Sequence, residues 1–214
     1  VNTSDVPDIA FLSYDLEGDG CCASPATLRI VSGRCADDGT LPEHNAISSP
    51  VIDNSGGLAV ADLDGDGTPE IVAPVLSGGT VALRPDGTVL WQSDHPARSI
   101  SWVSAPQPTI ADLEGDGRPE VLMGAAVLDG VTGERLWRGT LGHGFNGFLG
   151  PVSVAADLDR DGFQEVVAGD TVYRADGSIA CTIEGMVGTV GQQSDGFNAI
   201  GDFIIQHNFT HIHF

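Results

Sequence analysis

The apolar positions of this chain fall in short runs that are separated by acidic and glycine-rich segments. Residues 71–73, 121–123 and 166–168 are examples, and each run is soon broken by glycine or proline. Runs this short, with β-branched residues in them, are typical of strands, because a helix needs a longer periodic segment. The pattern therefore predicts an all-β protein.

One acidic segment precedes each of these runs and repeats the pattern D-x-[DE]-x-D-G-x-x-E. Carboxylates at positions 1, 3 and 5 of a tight loop can converge on one calcium ion if a glycine lets the backbone turn sharply, and the glutamate at position 9 can close the ligand shell. Isolated Asp-Gly pairs are usually plain polar turns, but three intact copies favour metal binding. The predicted ligands of about three Ca²⁺ sites are Asp62, Asp64, Asp66 and Glu70; Asp112, Glu114, Asp116 and Glu120; and Asp157, Asp159, Asp161 and Glu165.

A fourth copy of the loop starts at residue 15 and is incomplete. Its acidic residues are Asp15, Glu17 and Asp19. Position 9 is Ala23 instead of an acid, so we expect this copy to bind calcium weakly or not at all. A fifth copy begins at Asp202 and stops, which leaves only the incoming strand of a further unit.

The loops recur with a period that predicts the architecture. The intact copies start at residues 62, 112 and 157, so the spacings are 50 and 45 residues. A glycine turn recurs in phase with them, at Gly39, Gly87, Gly133 and Gly177. The strands predicted after the loops are 71–75, 121–127 and 165–168, followed by third strands at 80–84 and 171–174. Four short strands in a repeat of about 45 residues are typical of a propeller blade, so we predict a small β-propeller of four to five blades over residues 1–202.

The carboxyl-terminal segment 203–214 breaks the pattern, since it has no acid, glycine or proline. We predict a β-strand that closes the ring against the first blade or pairs with a neighbouring molecule. A partial propeller completed by another chain is the competing arrangement. On such a strand His207, His211 and His213 share one face, which permits a transition-metal site or an ordinary surface strand.

The stretch A-D-L-D-G-D-G-T-P-E-I-V-A at residues 61–73 resembles the FG-GAP and VCBS repeats of integrin-like calcium-binding β-propellers. The similarity extends over about residues 8–203. It implies that each loop grips calcium through the side chains at positions 1, 3, 5 and 9 and a backbone carbonyl at position 7. The hairpin that leads to Trp91 also resembles bacterial polysaccharide lyases and quinoprotein-like propellers. Such a resemblance concerns fold and metal and says little about activity.

The charge of the chain is consistent with an extracellular, metal-loaded protein. The formal net charge is −21, with 30 acidic residues against nine Lys and Arg, and the four loops supply 15 of the acids. So few scattered basic residues argue against nucleic-acid binding. No apolar run is long enough for a membrane span, and no signal segment precedes Val1, so we expect a processed, secreted or cell-surface protein.

The cysteines and glycosylation motifs fit the same compartment. The four cysteines are Cys21, Cys22, Cys35 and Cys181. We expect a short disulfide from Cys21 or Cys22 to Cys35, and the remaining cysteine could pair with Cys181. Alternatively, Cys181 fills the buried position that Trp91 and Trp137 hold in their repeats. Asn2 and Asn208 each start an N-glycosylation motif, which is used only in a eukaryotic secretory route.

Three functions remain open. We favour a calcium-stabilised extracellular scaffold for adhesion or self-assembly, whose partners are other protein chains or its own copies through residues 203–214. A lectin-like protein that binds glycans is the alternative, with Trp102 as the candidate ligand contact because it has no counterpart in the other repeats. A polysaccharide lyase would use calcium and basic residues such as Arg98, Arg118 and Arg138, but no catalytic constellation ties them together, so we predict no enzyme.

Overall fold

The computed structural model describes residues 6–15, 24–94, 105–142, 144, 150–183, 195–196 and 198–201. These ranges contain fifteen strands arranged in four antiparallel sheets. Each sheet is a meander, because its strands pair in the order in which they occur along the chain. No helix long and apolar enough to cross a membrane occurs in the described ranges.

The strands follow the repeat pattern of the sequence. The first sheet has three strands, β1 (Asp8–Ser13), β2 (Pro25–Ser32) and β3 (Glu43–Asp53). The second sheet consists of β4 (Ala59–Ala61), β5 (Glu70–Pro74), β6 (Thr80–Leu83) and β7 (Val89–Ser93). The third consists of β8 (Thr109–Ala111), β9 (Glu120–Met123), β10 (Ala126–Asp129) and β11 (Arg135–Arg138). The fourth consists of β12 (Val154–Ala156), β13 (Glu165–Ala168), β14 (Thr171–Tyr173) and β15 (Ile179–Thr182).

The prediction of a small β-propeller of four to five blades is wrong. The described residues form four separate antiparallel sheets of three or four strands, with no closed barrel or propeller among them. One isolated β-bridge, from Ile52 to Val75, joins the first sheet to the residue that follows β5. The period of the repeat determines the strands of each sheet, but it does not determine how the sheets are arranged.

The second sheet is buried on both faces. Ile71 of β5 lies in an apolar cluster with Leu28 and Ile52 of the first sheet. Val72, the next residue, lies in a different cluster with Val121 of the third sheet. Successive side chains of a strand point to opposite faces, so both faces need apolar residues. This explains why the run after the loop shows no alternation of apolar and polar positions.

The third and fourth sheets pack in the same manner. Leu122 and Val127 of the third sheet form a cluster with Val166 and Tyr173 of the fourth, and all four side chains are fully buried. Three clusters therefore alternate with the four sheets along the chain. The intact acidic loops connect the first and second strands of the second, third and fourth sheets, at residues 62–69, 112–119 and 157–164.

The predicted tail at 203–214, its three histidines and the fifth repeat at Asp202 lie outside the described residues. The division of the chain at residue 202 therefore stays a prediction.

Candidate metal-binding loops

The loop at residues 62–70 is folded by its own first aspartate. The amide of Gly65 donates a 2.8 Å hydrogen bond to Asp62 Oδ1, and the amide of Gly67 donates a 2.9 Å bond to Asp62 Oδ2. Gly67 has φ +86°, and a Cβ there would meet no atom within 4 Å. The glycine is therefore required for the backbone conformation and not for space.

The same bond recurs in the other two intact loops. The amide of Gly117 donates to Asp112 Oδ2 at 2.8 Å, and the amide of Gly162 donates to Asp157 Oδ2 at 3.1 Å. The pattern read from the sequence thus corresponds to one repeated loop conformation. The first aspartate binds the amide of the glycine five residues later in each copy.

The glutamate at position 9 is the first residue of the second strand in each sheet, and it is buried. Glu70, Glu120 and Glu165 are 0%, 7% and 5% exposed. In each case Oε2 accepts a hydrogen bond from the backbone amide at position 2, over 2.8–2.9 Å. This bond uses only one oxygen of each carboxylate.

Two of the loops bring three carboxylates together. In one group Asp62, Asp64 and Asp66 offer oxygens that lie within 4.8 Å of one another, and in a second group Asp157, Asp159 and Glu165 do so. Both groups could hold a metal ion. Within the part of the chain that the structure describes, the loop at 112–120 does not bring three such atoms this close.

The electrostatics of the loops favour a bound cation. Burial raises the pKa of Glu120 to about 6, and the nearby Glu114, Asp112 and Asp116 carboxylates contribute to the rise. Burial also raises the pKa of Glu70, with a further contribution from Asp64. Like charges held close together in a partly buried place destabilise one another, and a cation removes this cost.

One oxygen in the loop at 62–70 supports the fit to a hard cation directly. Glu70 Oε1 is buried and has no hydrogen-bond partner. A buried, unsatisfied carboxylate oxygen is costly, whereas an ion beside it would satisfy it. The donors offered by the loops are carboxylate oxygens, the type that Ca²⁺ prefers.

A basic residue that the sequence pattern did not indicate also reaches this loop. Arg84 Nη2 lies 2.7 Å from Asp64 Oδ2, and its Nε lies 3.8 Å from Glu70 Oε1. Arg84 follows β6 directly, outside the acidic motif, so motif spacing could not have found it. The one sequence feature that could have pointed to Arg84 is its place just before the glycine turn that recurs with the acidic loops.

The loops of the third and fourth sheets contact each other. The side-chain amide of Gln164 donates a 2.9 Å hydrogen bond to the carbonyl of Asp112, and its backbone amide donates a 2.8 Å bond to the carbonyl of Leu113. Position 8 of the motif is proline in the other two intact loops, which has no amide hydrogen to donate. This bridge is therefore specific to the last loop.

The remaining predicted site residues are placed as follows. Asp15 is exposed at the end of the first described range. Glu17, Asp19, Cys21, Cys22, Asn2, Asn208, Trp102 and Arg98 lie outside the described residues. Arg118 Nη2 lies 3.9 Å from Asp129 Oδ2, and Arg138 is exposed on β11.

Cys35 and Cys181 are both exposed. Cys181 pairs with Val172 across the fourth sheet, as Trp137 pairs with Val127 across the third. It holds the equivalent position without being buried, so the alternative in which it replaces a buried tryptophan is wrong. The proposed disulfide partners lie outside the described residues, and the pairing stays a prediction.

An open, polar cleft of about 580 Å³ lies between the second and third sheets. Its side chains come from the end of β7 and from the hairpin turn before β11: Gln92, Ser93, Asp94, Thr132, Glu134 and Arg135. Several hydrogen-bonding groups converge in it, as they do in sites for polar ligands.

No protein-family model matches the chain. No curated protein matches it either. The resemblance to FG-GAP and VCBS repeats therefore stays a prediction.

Solved structures that are similar to this one include the following two. The biofilm matrix protein Bap1 of V. cholerae matches with a TM-score of 0.52 and 26% identity, over 84% of this chain and 30% of that protein. The rhamnogalacturonan lyase YesW matches with a TM-score of 0.51 and 25% identity, over 74% of this chain and 27% of that one. The chain thus spans less than a third of the length of either protein.

Proposed function

We propose that this chain is a calcium-binding module of the extracellular space that acts in adhesion or matrix assembly. The observation that carries the proposal is the pair of carboxylate clusters, one at Asp62, Asp64 and Asp66 and one at Asp157, Asp159 and Glu165. The similarity to a biofilm matrix protein supports the extracellular, structural role.

Calcium fits these loops better than other common metals do. The clusters offer carboxylate oxygens and no imidazole or thiolate, which zinc and copper prefer. Magnesium requires a tight octahedral shell and gives up water reluctantly, whereas calcium accepts six to eight oxygens in a flexible loop. We therefore assign Ca²⁺ to the loops that begin at residues 62 and 157. The loop at 112–120 would bind a third ion if its carboxylates moved closer together.

Calcium at these sites stabilises the fold because the loops connect buried strands. With a dissociation constant of ~10⁻⁴ M and ~2 mM calcium outside cells, one site contributes roughly 1.8 kcal/mol. Two or three such sites are comparable to a large part of the net stability of a domain.

Thermal unfolding in calcium and in chelator tests the metal assignment. Asp159→Asn removes one charge from the last cluster but keeps the Oδ1 that accepts the amide of Asp161. We expect this variant to lose part of the calcium-dependent rise in Tm and to show the same or a slightly higher Tm than the unsubstituted protein in chelator, because one repelling charge is removed. Asp176→Asn is the control, because Asp176 makes a similar turn bond to Ser178 outside the acidic loops. Equal losses in both buffers would show that the loop is an ordinary turn.

The assembly role is tested by light scattering of the purified chain in millimolar calcium and after chelation. Polymers that dissociate in chelator support a calcium-dependent scaffold. A monomer in both buffers would count against self-assembly and leave adhesion to a different partner as the structural role.

Glycan binding is the second candidate, and the polar cleft beside Gln92 favours it. The similarity to a rhamnogalacturonan lyase is consistent with a polysaccharide ligand. Binding on a glycan array that is lost in Gln92→Ala would support this role. Loss in Trp102→Ala with no effect of Gln92→Ala would move the site away from the cleft, and release of unsaturated uronate product would indicate a lyase.

A further inference from the structure

We propose that Arg84 is an internal counter-ion of the loop at residues 62–70 and that it competes with the bound metal ion for Asp64 and Glu70. This inference rests on the proposed calcium site. The inference adds a regulatory element to that site. A basic side chain of the protein itself lowers the calcium affinity of one loop and stabilises the folded conformation of that loop without metal.

The backbone of Arg84 is held in place by the hairpin turn. Its amide donates a 2.8 Å hydrogen bond to the carbonyl of Thr88, and its carbonyl accepts a 2.9 Å bond from the amide of Gly87. The side chain extends from this fixed point to the acidic loop of the same sheet. The guanidinium is thus positioned by the sheet and not by the loop that it contacts.

The contact involves two carboxylates that are shielded from water. The side chain of Asp64 is 17% exposed, that of Glu70 is 0% exposed, and that of Arg84 is 31% exposed. Arg84 Nη2 lies 2.7 Å from Asp64 Oδ2, which is the distance of a charge-assisted hydrogen bond. Ion pairs with shielded partners are less screened than those on the surface, so this pair contributes more than an exposed one.

Asp64 is also a member of the cluster that could hold the ion. Its Oδ1 accepts the amide of Asp66 at 3.2 Å, and its Oδ2 is taken by Arg84. Both oxygens are therefore engaged before a metal ion arrives. An ion that coordinates Oδ2 has to displace the guanidinium or share that oxygen with it, and an ion on Oδ1 binds a carboxylate whose charge the guanidinium already neutralises. The repulsion between two cations weakens calcium binding in both cases.

The chain contains two matched comparisons at the same position of the hairpin. In the third sheet Asp129 replaces the arginine at the start of the turn, and its amide donates to the carbonyl of Glu134 across a turn that is one residue longer. In the fourth sheet the residue is Arg174, but its Nη1 bonds its own turn, at 3.3 Å from Ser178 Oγ and 3.2 Å from the carbonyl of Ile179. The fourth sheet thus has an arginine at the position equivalent to Arg84, but this arginine does not neutralise the carboxylates of the loop at 157–165.

The consequence is that the loops belong to two classes. The loop at 62–70 is partly neutralised by Arg84, so it keeps its folded conformation without metal and binds calcium more weakly. The loop at 157–165 depends on an external ion, so it binds more tightly and responds more strongly to chelation.

The test compares Arg84→Gln with Arg174→Gln in the full chain, by calcium titration calorimetry and by thermal unfolding in chelator. In chelator we expect Arg84→Gln to lower Tm by about 2–4 °C more than Arg174→Gln does. In the titration we expect Arg84→Gln to bind calcium about five- to tenfold more tightly at one site, and Arg174→Gln to leave every site unchanged. Tighter binding in a less stable protein is an outcome that a merely structural role of Arg84 does not produce.

Two results would overturn the inference. Equal Tm values of the two variants in chelator would remove the counter-ion role, and weaker calcium binding in Arg84→Gln would show that Arg84 supports the metal site. A double-mutant cycle between Arg84→Gln and Asp64→Asn in chelator separates this failure from failure of the calcium assignment. If the unsubstituted chain binds no calcium, the competition is overturned together with the proposed site, while a coupling in the cycle still supports the counter-ion role.

Discussion

The indole of Trp91 and the carbonyl of Gly130 join two successive sheets by a hydrogen bond of 2.7 Å. The bond from Trp137 Nε1 to the carbonyl of Ala175 repeats it between the next two sheets, at 2.8 Å. In both cases the tryptophan is in the last strand of one sheet and its acceptor is at the hairpin turn of the next. The second and third sheets therefore each pack on the next sheet through a tryptophan ring that contacts its hairpin turn.

The close approach of Gly133 to Trp91 gives the first prediction. A Cβ at Gly133 would lie 2.5 Å from the indole, and the residue has φ +72°. We expect Gly133→Ala to lower the free energy of unfolding by about 3 kcal/mol, since both the backbone and the ring have to move. Denaturant unfolding measures this. Gly39→Ala is the control, because Gly39 has φ +82° with nothing within 4 Å, and it should cost about 1 kcal/mol. Equal losses would mean that the ring does not rest on the turn.

The leucines at position 2 of the loops give the second prediction. Leu63 and Leu113 are 1% exposed and belong to the clusters between sheets, whereas Leu158 is 44% exposed. We expect Leu63→Ala and Leu113→Ala to cost about 2–5 kcal/mol each and Leu158→Ala to cost about 0.5 kcal/mol or less. Unfolding in urea in the presence of calcium checks the difference. A large loss in Leu158→Ala would reveal a packing contact that the described residues do not contain.

The sequence predicts the local features of this fold and misses the long-range ones. The acidic loop, the strand that follows it and the glycine turn all follow from residues a few positions apart, and Glu70 lies at the start of its strand as the motif requires. The arrangement of the sheets depends on side chains such as Trp91, which meets an acceptor 39 residues away. The sequence does not indicate Arg84 for the same reason, because Arg84 lies 20 residues after its partner Asp64 and outside the acidic motif.

Tyr173 gives the third prediction. The side chain is fully buried, and its hydroxyl donates to the carbonyl of Leu141 and accepts the amide of Leu141 at 2.9 Å. Tyr173→Phe removes both bonds while keeping the ring in the core. We expect a loss of about 1–3 kcal/mol in the free energy of unfolding, because two backbone groups lose their partner. Tyr14→Phe, at an exposed tyrosine, should change it by no more than about 0.5 kcal/mol. Similar values for the two variants would contradict the role of the hydroxyl.

The carboxyl of Glu120 gives the last prediction, which concerns pH. Its pKa is about 6 in the folded protein, mainly because of burial, against an ordinary value of 4.5. A carboxyl whose pKa is raised on folding holds more protons in the folded state, so stability is highest below the ordinary pKa and falls as the pH rises through the folded pKa. In chelator we therefore expect the free energy of unfolding to fall by about 1.5 kcal/mol between pH 4.5 and pH 7 through this group. The Glu120→Gln variant, which keeps an oxygen to accept the amide of Leu113, should show a flatter profile over the same range.

In calcium the profile should also flatten, since the ion stabilises the ionised carboxylates and makes their desolvation less costly. A profile that is equally steep in Glu120→Gln would assign the pH dependence to other groups.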